Sequence, residues 1–217
     1  MMKFWINLLI LSFSLSAFGQ HDPKAKEILS RFSAKSKSYS AIKADFSISN
    51  INLQNKKKSH QQGSIILKGN KYKLNLMGSE VISDGRTVWN YLPESNEVNI
   101  SKAGSQKDES VLNNPSRLFR IYDKEYKYKF LREFTEGGKV LYEIDLFPFD
   151  LKKSYSRVRL QIEKESLELH SAKVFLKDGN QTTISISKFV PDFKVSSTDF
   201  TFDKKKHPKV EVNDMRF

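Results

Sequence analysis

Residues 71–100 read KYKLNLMGSEVISDGRTVWNYLPESNEVNI, and the period of this stretch decides the fold. Tyr72, Leu74 and Leu76 alternate with Lys71, Lys73 and Asn75. A period of two is the mark of a strand with one apolar and one polar face. Val81-Ile82, the turn Asp84-Gly85 and residues 87–92 then form a hairpin. Residues 97–101, carrying Val98 and Ile100, close the set.

The same period extends outward. Upstream, Phe46 and Ile48 alternate with Asp45, Ser47 and Ser49, and Ile51 and Leu53 shift phase by one. That shift predicts a bulge near Asn50. Residues 54–62 (QNKKKSHQQ) read as a polar loop, residues 64–68 as a strand and Gly69-Asn70 as a tight turn. Downstream, Tyr126, Tyr128 and Phe130 alternate with lysines. Tyr142, Ile144 and Leu146 alternate with Glu143 and Asp145, and Val158, Leu160 and Ile162 with Arg157, Arg159 and Gln161. Residues 167–176 and 182–189 pair across Lys177-Asp178-Gly179-Asn180. Phe200 and Phe202 read as a last short strand, with Val210 and Val212 in a tail.

Two segments have helical spacing. Asp22-Pro23 is an N-cap followed by a proline at the first helical position, and Ala25, Ile28, Leu29 and Phe32 follow on one stripe to about residue 37. Residues 110–122 carry Val111, Leu112, Leu118, Phe119 and Ile121, and Pro115 divides them into two short helices or one kinked helix. The chain is therefore mainly β, with ten or eleven strands in one antiparallel sheet and no βαβ rhythm. A sheet that wide curls. Its apolar concave face needs a cover, and only these helices can supply one.

Composition narrows the chemistry. The chain has 217 residues with Lys+Arg 37 and Asp+Glu 25, a formal net charge of +12, and no Cys. There is no disulfide framework, thiol nucleophile, Cys-bound metal or lipid-bearing cysteine. The four histidines, at 21, 60, 170 and 207, share no metal spacing. There is no glycine-rich phosphate loop and no Gly-x-Ser-x-Gly elbow. The carboxylates alternate with apolar residues, as on a solvated sheet face. The reading is therefore no catalytic residue, no metal and no cofactor. The aromatic and basic run at Tyr126-Lys127-Tyr128-Lys129-Phe130 suits a nucleic-acid sheet only if rings and lysines share a face, and on a strand they do not.

Residues 1–19 (MMKFWINLLILSFSLSAFG) place Lys3 before an apolar run that ends at the small residues Ala17 and Gly19. The run is shorter than the ~20 residues of a membrane-spanning helix. It reads as a cleaved secretory signal, leaving residues 20–217 as one exported domain without an acyl anchor. A curled sheet roofed by helices makes an apolar cavity, and an exported protein with one is a candidate lipid carrier.

The run Val81-Ile82-Ser83-Asp84-Gly85-Arg86-Thr87-Val88-Trp89-Asn90-Tyr91 resembles the hairpin signature of the outer-membrane lipoprotein carrier family, the LolA-like periplasmic chaperones. The order around it agrees: an exported N-terminus and a helix, then Tyr39-Ser40 and Ala44-Asp45-Phe46, with Asn114-Pro115 before the second helical segment. Near the end, Phe200-Thr201-Phe202 is followed by Pro208 and by Val210-x-Val212-x-Asp214. The resemblance implies an incomplete, half-open antiparallel β-barrel with a helical lid. It implies a monomeric periplasmic shuttle with no enzymatic activity. Such a shuttle takes acylated lipoproteins from an inner-membrane ABC-type release complex and passes them towards the outer membrane and an acceptor there. The expected cavity lining is Phe32, Phe46, Ile48, Tyr72, Leu74, Leu76, Trp89, Leu118, Phe119, Ile144 and Leu146.

At Lys68-Gly69-Asn70 the chain departs from the family pattern, in which an Arg latches the lid. Lys68 is the residue left to substitute, and an ammonium cannot copy a bidentate guanidinium fork. The alternatives are a lipoprotein- or lipid-sensing regulatory domain of the same fold, or an envelope hydrolase. The basic surface suits transient contact with anionic headgroups, which salt would weaken.

Overall fold

The computed structural model describes residues 22–104, 118, 119 and 125–216. The expected signal segment and most of the second helical segment lie outside these residues.

Helix α1 (Pro23–Ser38) begins where the sequence places it. Asp22 Oδ1 accepts hydrogen bonds from the N–H groups of Lys24 (3.0 Å) and Ala25 (3.2 Å). Its Oδ2 accepts from the Phe130 N–H at 3.0 Å. One carboxylate thus caps the helix and ties it to the sheet.

The strands are β1 (Ile42–Ile51), β2 (Lys58–Lys68), β3 (Lys71–Leu76), β4 (Ser79–Ser83), β5 (Thr87–Leu92) and β6 (Glu97–Lys102). After the second helical segment come β7 (Tyr126–Glu136), β8 (Lys139–Pro148), β9 (Tyr155–Glu163), β10 (Leu169–Leu176), β11 (Gln181–Pro191) and β12 (Glu211–Asp214). All twelve form one sheet in the order β12-β6-β5-β4-β3-β2-β1-β11-β10-β9-β8-β7. The edges β12 and β7 do not pair, so the sheet stays open, as expected of a half-open barrel. The twelfth strand is the C-terminal tail, which pairs parallel to β6.

Three local expectations are corrected. The bulge in β1 falls between Asp45 and Phe46, against β11, while pairing with β2 continues through Ile51 and Lys58. β2 therefore starts at Lys58, inside the stretch expected to be loop. Both of its faces are exposed there, so its sequence carries no apolar alternation. Phe200 lies in a 3₁₀ turn (Ser197–Phe200) rather than a strand. Ser196 and Asp199 form a capping box around that turn, which backbone alternation does not reveal.

Candidate functional site

Directly paired residues of neighbouring strands point to the same face of a sheet. Leu74 pairs with Ile65 and Val81, and Ile144 pairs with Leu160. Tracing these pairs across the sheet gives a continuous inner face. It runs from Val81 through Leu74 and Ile65 to Ala44, along β1 by Phe46 to Ile48, and on through Ile184, Ala172 and Leu160 to Ile144. α1 lies on it with Ala25, Ile28, Leu29 and Phe32, and Leu118 and Phe119 pack on the same cluster. Phe119 stands 6.4 Å from the Phe189 ring, which also meets Tyr39 edge-on at 5.8 Å. Below α1, the Tyr126 and Tyr155 hydroxyls share a buried hydrogen bond of 2.5 Å.

The residues expected to line a cavity fall into two sets. Phe32, Phe46, Ile48, Tyr72, Leu74, Leu118, Phe119, Ile144 and Leu146 are buried together in the inner cluster, and Leu76 packs half-buried against it. Trp89 stands apart. It pairs with Ile82, which pairs with Lys73, on the face opposite Leu74. On that outer side it is half-buried. Phe46 lies so close over β2 that a Cβ on Gly63 would meet its ring at 2.7 Å and the Asn75 carbonyl at 2.8 Å. A glycine is therefore required there.

The outer face differs from one half of the sheet to the other. On β7–β10 it is charged. Arg159 grips Asp145 with two bonds, Nε–H to Oδ1 at 2.7 Å and Nη2–H to Oδ2 at 2.9 Å. Arg132 Nε–H donates to Glu143 Oε2 at 3.0 Å, and Gln161 donates to Glu143 Oε1 at 3.1 Å. Ser171 completes the chain by donating to Gln161 Oε1 at 2.6 Å. The Arg157 guanidinium lies 4.0 Å from the centre of the Phe175 ring. Glu143 and Asp145 are consequently buried under arginines, where the alternation implied a plain solvated face. Burial alone would raise the Glu143 pKa. The Arg132 and Gln161 hydrogen bonds, with the charges of Arg159 and Arg132, outweigh it and hold the carboxyl below its usual range.

On β3–β6 the outer face carries a second core. Ile82, Val98, Phe200 and Val210 are buried there, outside the inner cluster. His207 stacks on Phe202 at 4.7 Å and lies 4.3 Å from Tyr91. The Asn96 amide donates to the Pro208 carbonyl at 3.1 Å, holding the C-terminal segment over this half.

The signature hairpin is structural. Asp84 Oδ1 accepts from the N–H groups of Arg86 (2.8 Å) and Thr87 (2.7 Å), and Gly85 has φ 90°. Lys68 pairs with Lys71, one residue out of phase with the inward Tyr72, and is exposed on the outer side. It is not placed to latch a cover on the inner face. Tyr126 and Tyr128 are buried while Lys127 and Lys129 are exposed, so rings and lysines do not share a face.

Open grooves remain. One of about 790 Å³ has a mixed lining, with Phe46, Leu76, Met77 and Tyr91 beside Asp45 and Glu80. Another, of about 700 Å³, is polar and includes Arg132, Glu143, Arg159 and Gln161, which does not suit a hydrocarbon chain. Among the described residues no cluster of three or more His, Asp or Glu could hold a metal ion, and no helix is long and apolar enough to cross a membrane. Two polar side-chain atoms, Ser33 Oγ on α1 and Asn90 Oδ1, are buried without a hydrogen-bond partner among the described residues. Sequence periodicity had no way to single them out.

The family model described as outer membrane lipoprotein carrier protein LolA matches residues 36–203. No curated protein matches the chain. An uncharacterized conserved protein from Thermus thermophilus superposes with a TM-score of 0.61 at 11% identity, covering 88% of this chain and 99% of its own. A DUF1329 family protein from Desulfovibrio piger gives 0.50 at 17% identity, covering 82% and 96%. A LolA superfamily protein from Nitrosomonas europaea gives 0.47 at 14% identity, covering 83% and 98%.

Proposed function

The chain belongs to the outer membrane lipoprotein carrier protein LolA family, and from that premise we propose that it is a periplasmic carrier of lipoprotein acyl chains. It would take cargo from an inner-membrane ABC-type release complex and deliver it towards the outer membrane. The observation that supports this most is the inner face. It is continuously apolar from β4 to β8, turns polar at Asn90 and Asn99 on β5 and β6, and is covered by one amphipathic helix together with Leu118 and Phe119. A cover built from separate pieces of chain can be displaced without unpairing a strand.

The magnitudes favour a covered resting state. Burying a CH₂ group is worth about 0.8 kcal/mol, so one sixteen-carbon chain gains about 12 kcal/mol on leaving water. Two or three such chains would reach the non-covalent ceiling of roughly 18–21 kcal/mol, and release would fail. Here Phe32, Leu118 and Phe119 already occupy the face. Cargo must replace them, so the apparent affinity falls by the fraction of molecules that are open. Exchange of side chains for acyl chains keeps each transfer step near balance. Ser33 Oγ, unpartnered on the inward side of α1, would offer an ester carbonyl one hydrogen bond. No bond-making step enters this reading.

The proposed lining is Phe32, Phe46, Ile48, Tyr72, Leu74, Leu76, Leu118, Phe119, Ile144 and Leu146. Trp89 is left out because it faces the other way. The test is uptake of a fluorescent fatty-acyl probe. Leu74→Glu and Leu146→Glu should abolish uptake while export continues, and undiminished uptake in both would remove the inner face as the binding site.

A further inference from the structure

Every hairpin of an antiparallel sheet turns at one of two ends, and the ends of this sheet differ. The β1–β2, β3–β4, β5–β6, β8–β9 and β10–β11 connections share one end, by the order and pairing of the strands. The β2–β3, β4–β5, β7–β8 and β9–β10 connections share the other. Among the described residues, five of the seven exposed large apolar side chains belong to the first end: Leu53, Met77, Phe147, Phe149 and Leu151. The other two, Val212 and Met215, lie on and just after the edge strand β12. The turns of the second end, at Gly69-Asn70, Asp84-Gly85-Arg86, Gly137-Gly138 and residues 164–168, carry one large apolar residue, Leu167, which is half-buried.

Two of these apolar residues, Met77 and Leu151, sit at turn tips where the fold gains little from them. Met77 has φ 53° and precedes Gly78, in a two-residue hairpin turn that Asn-Gly would fill at least cost. A methionine there is conformationally unfavourable, and its side chain is 70% exposed. Leu151 is 81% exposed, yet its turn is well tied. The Lys177 ammonium donates to the Leu151 carbonyl. The Lys177 N–H donates to Ser154 O at 2.9 Å, and the Phe149 N–H donates to Glu125 O at 2.9 Å. The tip is thus held out in a defined shape. Single exposed apolar residues are ordinary, but a set on one end marks an interaction surface.

Charge says which kind. The same end carries Lys56, Lys57 and Lys58 on the β1–β2 loop, Lys152 and Lys153 beside Leu151, and Lys127 and Lys177 next to them. The carboxylates at this end are Glu80, Glu94, Glu97, Glu125, Asp150, Asp178 and Glu211, with Glu80 paired to Lys73 at 2.9 Å and Glu97 accepting from the Asn213 amide at 2.6 Å. Two of them fold back into their own turns, Asp150 onto the Lys152 N–H (2.8 Å) and Asp178 onto the Asn180 N–H (2.9 Å). The lysines are exposed or nearly so, and of them Lys177 is turned back onto the Leu151 carbonyl. Apolar tips ringed by lysines complement a surface that is negative outside and greasy just beneath.

We propose that this end of the sheet docks on an anionic lipid bilayer. Leu53, Met77 and Leu151 enter the boundary between headgroups and acyl chains. The lysine stems lie along that boundary, with their ammoniums at the phosphates. The proposal does not depend on the carrier reading, since it uses none of the inner-face residues.

Vesicle flotation of the purified protein tests it. Binding is expected to vesicles containing phosphatidylglycerol and not to pure phosphatidylcholine, and added salt should release the protein. The triple variant Leu53→Ser, Met77→Ser, Leu151→Ser should lower the partition coefficient about tenfold or more. The variant Lys56→Gln, Lys57→Gln, Lys152→Gln, Lys153→Gln should lower it by at least as much and flatten the salt dependence. Lys68→Gln with Lys71→Gln, at the opposite end, should stay within about twofold of the parent. All substituted side chains are exposed or nearly so, and acyl-probe uptake in free solution should be unchanged in every variant. Binding to neither vesicle type would overturn the proposal and leave this end to a protein partner, and equal binding to both would overturn the role given to the lysines. An equal loss from the opposite-end pair would overturn it too.

Discussion

The two halves of the sheet put their apolar side chains on different faces, the inner one on β7–β10 and the outer one on β5–β6. On β7–β10 the outward positions are charged and satisfied in place, by Arg159 on Asp145 and by Arg132 and Gln161 on Glu143. On β4–β6 the outward positions include Ile82, Trp89, Val98 and Ile100, and the C-terminal segment roofs them with Phe200, Phe202 and Val210. An apolar strand face needs a cover on its own side, and on β5 and β6, where Asn90 and Asn99 face inward, that side is the outer one. The second cover explains why the chain continues past β11, and why that half is suited to holding shape rather than to opening.

The sharpest way to break this comparison is Phe200→Ala. Phe200 is fully buried, and its loss should cost about 3–5 kcal/mol in urea unfolding. Trp89 is the tryptophan of the second core, so its fluorescence should shift to the red, while fatty-acyl probe uptake by the folded fraction stays unchanged. Loss of uptake in that fraction would mean that the two faces are coupled.

On the other half, Asp145→Ala should cost about 2–3 kcal/mol. It strands Arg159, whose side chain is 26% exposed, so water recovers part of the loss of a fully buried pair. The double variant with Arg159→Ala should be less destabilised than the two single losses added together, a coupling that chemical denaturation reads directly. Asp84→Ala removes the acceptor of the Arg86 and Thr87 N–H groups and should cost about 1 kcal/mol, read as a lower midpoint without a change in slope.

Acid should act on both halves. In the β4–β5 turn burial opposes, but the Thr87 and Arg86 N–H groups hold Asp84 below the usual carboxylate range, and Arg216 does the same for Asp214 on β12. On the charged half Glu143 and Glu163 are both held below that range. Burial opposes this in each, and it is outweighed by Arg132 and Gln161 at Glu143 and by Lys139 and Ser166 at Glu163. A carboxyl whose folded pKa lies below its unfolded value of about 4.3 stabilises fully above that value. The contribution is lost as pH falls through the folded value. Glu168 has the opposite sign, because burial and the nearby Glu163 raise its pKa, so its protonation offsets part of the loss. Thermal midpoints should therefore hold from neutral pH to about 5 and fall below about 4. In Glu143→Gln the fall should be shallower, and an unchanged acid limb would remove Glu143 from the account.

Much of this was legible in the sequence because strand periodicity is local. Ile144, Leu146, Leu74 and Tyr72 face inward wherever their neighbours are lysine, aspartate or glutamate. Asp22-Pro23 announces a helix because a cap needs only three residues. Trp89 was misplaced for a physical reason. Val88-Trp89 and Val81-Ile82 are adjacent apolar pairs, so alternation gives no face for either member. Two-sided apolarity was the signal available, and it points to a second cover rather than to a larger cavity. Asn50 was misjudged because the phase shift of Ile51 and Leu53 reflects the exposed end of β1, not a bulge.

Residue order alone thus determined that the chain is a wide antiparallel sheet with one greasy side and an amphipathic helix to lie on it, since periods of two and 3.6 are properties of neighbouring residues. Only the three-dimensional arrangement decided which strands meet and what the C-terminal segment covers. It also decided which loops share an end. These depend on pairings between residues more than a hundred positions apart, such as Ile48 with Ile184 and Asn96 with Pro208. No local pattern encodes them, because their free energy exists only once the sheet has formed.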